Sequence, residues 1–406
     1  MRDNVKTLDD APFIDMFSPE FQADPGKVID AIRADSWVAR APIGAIALGR
    51  PQVQALLADR RLRSSLTELI QIQGITEGPI FDAVSTSLLA IDGEDHHRVR
   101  SLVSRAFTPR AVDRHRTLMR DVLERLVEPV VPRGRTEFMA DISDHYPIEV
   151  MCHVLGVPPD DHTEFAEWNN EITWALSLQL FAHLDEVAHG FTHLRAYVTD
   201  LLEDRRRHPR DDMVSALAQA EEAGDRLTDQ EITMLVAGLL FAGYDTTRNQ
   251  LGIAMSVFAD HPDQWAALAA DPSLAAPAVE EVMRFQGAVA AAPRFVVEDI
   301  ELDGYLIPAG TMLALSTASA NHDPAAYTEP QTFDITVARE PQLTFGGGPH
   351  YCLGASLARA EMQEALPMLA RAMPDLELDG EPTWRQPVGI WGPESLPLRF
   401  RVPAAG

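Results

Sequence analysis

Hydrophobic residues recur at the three- and four-residue spacing of amphipathic helices through most of the middle of the chain. This spacing is clear in residues 118–127 and 191–205, and helical periodicity dominates from about residue 95 to 287. Residues 51–59 have the same pattern near the start of the chain. The pattern therefore predicts a largely helical protein.

The longest predicted helix covers residues 227–261. Thr228 and Glu231 form a capping box, in which each side chain can bond the backbone N–H of the other residue. The segment is apolar nearly all round from Ile232 to Tyr244. A helix without a polar face is buried, so we expect this one at the centre of the domain.

Strand patterns are short and lie mainly towards the two ends of the chain. Residues 37–48 and 300–307 are predicted to be hairpins, the second one turning at Asp303 and Gly304. Residues 311–315 and 396–402 are further extended segments. With no linker or repeat in the sequence, we predict one domain over residues 1–406, mainly α with a small β region.

Charge narrows the possible partners. The 406 residues include 61 Asp and Glu against 34 Lys and Arg, a formal net charge of −27. Such a surface argues against nucleic acid or an anionic membrane as a partner. The longest apolar stretch, residues 234–244, is too short to span a membrane. The acidic N-terminal segment and the two cysteines of the chain favour a cytoplasmic protein. We expect a monomer.

The strongest chemical signal is the loop of residues 345–354, Phe-Gly-Gly-Gly-Pro-His-Tyr-Cys-Leu-Gly. Its three consecutive glycines allow close approach of the backbone to another group. Cys352 precedes a predicted helix, whose free N–H groups favour a thiolate, and a thiolate in such a loop can bind iron. A buried structural cysteine, a nucleophilic cysteine and a phosphate loop are the alternatives, although the Lys-Ser/Thr ending of a phosphate loop is missing.

The same loop resembles the haem-binding signature of cytochromes P-450, and the resemblance extends over nearly the whole chain. It implies the cytochrome P-450 fold with haem b as cofactor. It also implies that Cys352 is the axial thiolate and metal ligand, with Phe345, Gly346 and Gly354 in the haem-binding loop. In such enzymes the thiolate donates electron density to iron and favours O–O cleavage.

A second match lies in the long helix, which resembles the oxygen-binding helix of the family through Ala242, Gly243, Asp245 and Thr246. Gly243 lacks a side chain, which would let dioxygen and haem approach the backbone. Thr246 can bond back to the Ala242 carbonyl and open the helix locally. Asp245 can relay protons while Thr246 orients them. Without Cys352, a solvated Asp-Thr pair would be the simpler interpretation.

Glu281 and Arg284, three residues apart on one helix face, match a structural pair that the family buries beneath the haem. The resemblance implies a third partner, an arginine before the cysteine loop. Val337 stands where that arginine is expected, and Arg339 is the candidate replacement. On its own the pair is a weak signal, because surface pairs of this spacing are common.

Haem carries two propionates, and the resemblance assigns basic residues to them. The alternative for each residue is a solvated surface cation. The candidate propionate ligands are His96, Arg100, Arg294 and His350.

The function implied is an O2-dependent monooxygenase. Only 54 residues follow Cys352 and no dinucleotide fingerprint occurs, so electrons are expected from a separate ferredoxin or flavodoxin and its reductase. A peroxide-driven peroxygenase, or a haem-thiolate binding or recruiting protein without turnover, are the alternatives, and the retained Asp245 and Thr246 argue against both. An ordinary basic helix face competes with a carrier-docking role for Arg98, Arg105, Arg110, Arg114 and Arg116.

The segments that would enclose the substrate are apolar, which predicts a hydrophobic ligand. The small side chains of residues 288–292 leave room for a bulky one, such as a terpenoid, a steroid, a fatty acyl chain or a polyketide. The predicted segments are residues 66–89, 168–181, 236–241, 288–292 and 390–391.

Overall fold

Helices make up most of the secondary structure in residues 5–158, 161–222, 228–385 and 389–403, which the computed structural model describes. This confirms the prediction of a mainly α protein with a small β region. The helices are α1 Pro19–Ala23, α2 Pro25–Arg33, α3 Arg50–Leu57, α4 Leu66–Gln71, α5 Pro79–Ser85, α6 Gly93–Ser104, α7 Pro109–Asp113, α8 Arg116–Val127, α9 Tyr146–Leu155, α10 His162–Ile172, α11 Leu184–Arg207, α12 Met213–Glu222, α13 Asp229–Asp260, α14 Pro262–Ala270, α15 Ala275–Phe285, α16 Thr317–Asn321 and α17 Ala355–Ala372.

The central helix is α13, as predicted; Leu227, the first residue of the predicted range, lies outside the described residues. Its capping box is present, with Glu231 N donating to Thr228 Oγ1 at 3.2 Å and Thr228 N to Glu231 Oε2 at 2.8 Å. The helix packs against α9, α10 and α11, and Ile232, Leu240 and Phe258 are fully buried. Burial on several sides explains why the segment has no continuous polar face.

The β region is a set of small sheets. Its strands are β1 Lys6–Thr7, β2 Val38–Arg40, β3 Ala45–Ala47, β4 Leu62–Ser64, β5 Arg135–Glu137, β6 Ala292–Val296, β7 Ile300–Leu302, β8 Tyr305–Ile307, β9 Met312–Leu315, β10 Glu377–Leu378, β11 Thr383–Trp384, β12 Pro393–Ser395 and β13 Pro397–Arg399. The largest described sheet has the order β2-β3-β9-β6-β4.

Both predicted hairpins are confirmed. Strands β2 and β3 pair antiparallel, and so do β7 and β8. The turn between β7 and β8 consists of Asp303 and Gly304, with φ of 41° and 81°. Two consecutive positive φ angles are what a two-residue turn of this hand requires, and they explain the Asp-Gly pair.

The helical part has a large core of its own, and the five-stranded sheet packs with α3 around a smaller one that includes Val38, Val53 and Ile307. The single domain over residues 1–406 stays a prediction.

In the described part of the chain, no helix combines the length and hydropathy that a membrane crossing needs.

Candidate active site

The cysteine loop is held between the end of α3 and the start of α17. Cys352 N donates to the Phe345 carbonyl at 2.9 Å, which closes the loop on itself. Gly346 and Gly348 have φ of 71° and 61°. A Cβ at Gly348 would lie 2.3 Å from the carbonyl oxygen of Leu57, so only glycine fits there. Gly354 is the N-cap of α17, so Cys352 lies two residues before the cap, at the N-terminal end of the helix, as the sequence predicted.

The two cysteines have different environments. The pKa of the Cys352 thiol is raised by burial, and this is opposed by the Gly354 backbone N–H, Arg100 and Arg359. Cys152 lies inside α9, where burial and Glu149 raise the pKa of its thiol to about 12. Only Cys352 has cations and a free helix terminus near its sulfur, and these are the features that favour a thiolate ligand.

Arg294 and Arg100 are placed where an anionic group would be stabilised. Arg294 on β6 is 8% exposed, and burial lowers its pKa. Arg100 on α6 is partly buried, and burial lowers its pKa too. Arg294 donates to the Pro293 carbonyl and Arg100 to the Tyr351 carbonyl, and neither is within ion-pair distance of a carboxylate in the described residues. Asp92 attracts Arg294 without forming an ion pair with it. A buried guanidinium without a close carboxylate is costly, so the site fits a cofactor that brings carboxylates.

The predicted histidines lie beside each other in the same region. The rings of His96 and His350 are 4.4 Å apart. Burial and the neighbouring His350 lower the pKa of His96 to about 4, so His96 is neutral at pH 7. His350 Nε2 is 2.7 Å from Asp92 Oδ1. Burial opposes ionisation of Asp92, but His350, the Ser64 backbone N–H and Arg294 together outweigh it and lower the pKa of Asp92. No role for Asp92 was predicted from the sequence.

On α13 the hydroxyl of Thr246 donates to the Ala242 carbonyl at 2.8 Å, the bond that the sequence suggested. The interpretation of Gly243 was wrong. A Cβ at Gly243 would lie 2.6 Å from Met151 Sδ, so this position faces α9. The missing side chain allows the two helices to pack closely, and it does not open a path for haem or dioxygen.

Asp245 is fully buried, and its carboxylate has partners that the sequence did not reveal. Arg385 Nη1 lies 2.8 Å from Oδ1 and 3.0 Å from Oδ2. Asn249 Nδ2 donates to Oδ1 at 3.0 Å, and the Thr173 hydroxyl is 3.4 Å from Oδ2. Arg385 follows β11 and is 140 residues from Asp245, so no local pattern could have found this pair.

The structural pair of α15 is buried and has a third member. Arg284 Nε and Nη2 donate to the two oxygens of Glu281 at 2.7 and 2.8 Å. Arg339 Nε lies 3.2 Å from Glu281 Oε1, whereas Val337 is 48% exposed. Arg339 therefore takes the place of the arginine that the resemblance implies as the third partner. Its Nε makes an ion pair there without an aligned hydrogen bond.

A second buried carboxyl group lies beside α13, and it was not identified from the sequence. Glu361 on α17 is 1% exposed, and its Oε1 has no hydrogen-bond partner. Burial raises the pKa of Glu361 well above its usual range, although a bond with Thr247 opposes the shift. Burial therefore favours the protonated form of Glu361. The only sequence signal was a charged residue among the apolar positions of α17.

Comparisons with known proteins agree on one family. A model of the cytochrome P450 family matches residues 85–272 and 271–372. Luteothin monooxygenase from Streptomyces thioluteus is 38% identical over 96% of each chain. The polyketide biosynthesis cytochrome P450 PksS of Bacillus subtilis is 30% identical over 94% of this chain and 98% of its own. The crystal structure of CalO2 has a TM-score of 0.90 at 27% identity and covers 96% of this chain and 99% of that one. The chain belongs to the cytochrome P450 family, whose members bind haem through a cysteine thiolate, and it is a haem-thiolate monooxygenase.

Proposed function

We propose that this monooxygenase oxygenates an uncharged, hydrophobic small molecule with electrons from a separate carrier protein, and that Cys352 is its haem ligand. The observation that carries the assignment is the Cys352 loop beside Arg100, together with the buried Arg294. Neither cation has a carboxylate within ion-pair distance in the described residues. Haem b bound there would bring a metal for the thiolate and two propionates for the cations. When bound, it supplies the capacity to activate dioxygen.

The residues of α13 would then handle the proton that oxygen activation needs. The Thr246 hydroxyl, held by the Ala242 carbonyl, is a donor and acceptor in a partly buried position. Asp245 is the ionisable group next to it in the chain. General acid–base transfer of this kind needs one group that gains and loses the proton, and a second group that orients the hydrogen bond along which the proton moves. We assign the first role to Asp245 and the second to Thr246.

Replacing Thr246 with alanine should uncouple electron consumption from product formation. Electrons would still be consumed, but more would leave as hydrogen peroxide, because the hydroxyl that orients the proton is lost. The measurement is product and peroxide formed per NAD(P)H oxidised. Thr246→Ser, which keeps the hydroxyl, is the matched control and should stay near the parent ratio. Equal coupling in the alanine variant would reject the role of Thr246.

The charge of the predicted substrate-facing segments supports an uncharged substrate. These segments contain few charged residues, and two of them, Glu68 and Glu171, contact Arg63 and His189. Residues 288–292 have small side chains, and their surroundings include Trp391, whose Nε1 donates to the Gly287 carbonyl. A bulky apolar molecule fits such walls. Polyketides are the first class to screen, because one relative is named for polyketide biosynthesis.

In the structure, fewer of the five arginines predicted to dock an electron carrier remain available for a partner. Arg98 binds Glu231, and Arg116 binds Glu364, so both are engaged within the protein. The exposed arginines of this face are Arg105, Arg110 and Arg114. On a chain of net charge −27, these cations could orient an acidic ferredoxin or flavodoxin.

Turnover with NAD(P)H should require an added ferredoxin or flavodoxin and its reductase, and reduction should slow as salt rises. Screening shortens the reach of the attraction to about 8 Å at physiological ionic strength. Arg105→Glu should weaken carrier binding and leave substrate-induced spectral shifts intact. Lys27→Glu, an exposed charge reversal on α2, is the control. Turnover without any added protein would reject the separate carrier, and efficient turnover with peroxide alone would favour a peroxygenase.

A further inference from the structure

A cavity of about 640 Å³ lies between α8, α9 and α12. Its apolar lining includes Leu118 and Val122 of α8, Val154 of α9 and Met213 of α12. In the described part of the chain, none of the lining residues belongs to the Cys352 loop or to the segments predicted to face the substrate. The volume is in the range of sites that bind small molecules, so the cavity is large enough for a second ligand.

Three histidines line the same cavity, and their ring nitrogens form no hydrogen bonds within the described residues. His115 lies between α7 and α8, His153 is on α9, and His162 begins α10. The rings of His115 and His153 are 5.6 Å apart and nearly perpendicular. Nδ1 of His162 is buried without a partner, and its Nε2 is 3.9 Å from Glu149 Oε1, beyond hydrogen-bond distance. Unpaired polar atoms in a partly buried lining favour a ligand with polar atoms of its own.

The charge around His115 and His153 favours a negative ligand group. Arg114, the residue before His115, also lines the cavity, and its Nε lies 3.5 Å from the Ala111 carbonyl. It has no carboxylate within ion-pair distance in the residues that the structure describes. Burial, His153 and Arg114 all lower the pKa of His115, because a further positive charge there would be repelled. This end of the cavity therefore has a positive potential.

The acidic residues of the lining do not cancel this potential. Asp212 Oδ2 lies 2.7 Å from Nε of the buried Arg205. Glu149 forms an ion pair with an arginine of α8. Asp211 is exposed and is adjacent in the chain to Arg210, which is also exposed and has the opposite charge. The negative charges at the cavity thus have positive partners or neighbours within the protein.

We propose that this cavity is a second binding site, for a small organic acid whose carboxylate lies at the end with His115 and His153. Guanidinium and imidazole N–H groups are donors that suit a carboxylate. The apolar lining from α8 and α12 would enclose the uncharged body of the acid, as in most small-molecule sites. The ligand is distinct from the oxygenated substrate, and the proposal does not depend on the roles of Asp245 and Thr246.

Equilibrium dialysis of the haem-loaded protein with pyrenebutyrate, an aromatic acid, tests the proposal. We expect one equivalent to bind per chain without a shift of the Soret band, whereas a molecule bound beside the haem would shift it. Pyrenebutyramide has the same apolar body without the charge and should bind about tenfold more weakly or less, because charged hydrogen bonds are lost. Inorganic phosphate at the same concentration should not displace the acid, because it lacks an apolar body.

Two variants locate the bound acid. Ala216 is an exposed residue of α12 that lines the cavity, so Ala216→Trp should fill it and abolish the binding that leaves the Soret band unchanged. Ala266→Trp, at an exposed position of α14 outside the cavity, is the control. His153→Glu places a negative charge beside the carboxylate and should weaken binding about tenfold or more. Gln54→Glu, on the exposed side of α3, is its control.

His153→Glu keeps the test decisive if Ala216→Trp does not fold, because His153 is exposed on α9. Equal binding of the acid and the amide would overturn the proposal, and so would displacement by phosphate. Parent affinity in a folded Ala216→Trp or His153→Glu protein would do the same. The absence of any binding that leaves the Soret band unchanged would also reject the site.

Discussion

Replacing Cys352 with alanine should abolish the thiolate-type Soret band of the ferrous carbonyl complex. The loop that carries Cys352 is closed by its own backbone bond to Phe345, so the alanine variant can keep its shape while losing the sulfur. The expected spectrum has lost that band completely, and oxygenation of substrate should be lost with it. The measurement is the carbonyl difference spectrum of the reduced protein.

Cys152→Ala is the matched control for this experiment. Its thiol is buried in α9 among apolar side chains, and its raised pKa leaves it neutral. The variant should keep the parent spectrum, at the cost of a small packing defect. A surviving thiolate band in Cys352→Ala, or its loss in Cys152→Ala, would contradict the assignment of the ligand.

Arg284→Met should be the most destabilising of the proposed substitutions. The Arg284 guanidinium, which is almost completely buried, binds Glu281 through two nitrogens and also donates to three backbone carbonyls, those of Asn321, Pro330 and Thr332. Breaking a buried ion pair typically costs about 3–5 kcal/mol. Arg339, which also pairs with Glu281, should offset part of this cost. We expect a lower denaturation midpoint and a lower haem content per folded chain.

An exposed ion pair provides the comparison. Arg401 and Asp375 are both more than half exposed, so solvent screens their attraction. Arg401→Met should leave the unfolding midpoint and the haem content close to those of the parent protein. An Arg284→Met protein as stable as Arg401→Met would show that the buried cluster is not structural.

Local signals predicted what depends on local sequence. The apolar run of α13, its capping box and the Asp303-Gly304 turn all specify the geometry found, because each feature is decided within a few residues. The loop around Cys352 was recognisable for the same reason. Arg339 could be named as a candidate because it lies two residues from the expected position.

Contacts between residues that are distant in the chain could not be predicted from the sequence. The pairing of Asp245 with Arg385 depends on how the C-terminal hairpin folds back over α13. The role of Gly243 was misjudged because a glycine in an apolar helix does not show which neighbour requires it. Only packing reveals that Met151 of α9 occupies this space. Whether Arg339 reaches Glu281 likewise depends on the path of an irregular segment.

The close contact between Gly348 and the end of α3 bears on the order in which the enzyme assembles. Leu57 and the cysteine loop are about 290 residues apart in the chain, so this contact forms only after the chain has been synthesised beyond Gly348. Contacts between such distant segments form slowly, since a long loop must close first. Haem should therefore bind late in synthesis. A chain released before residue 345 would lack both Cys352 and the loop that packs against Leu57.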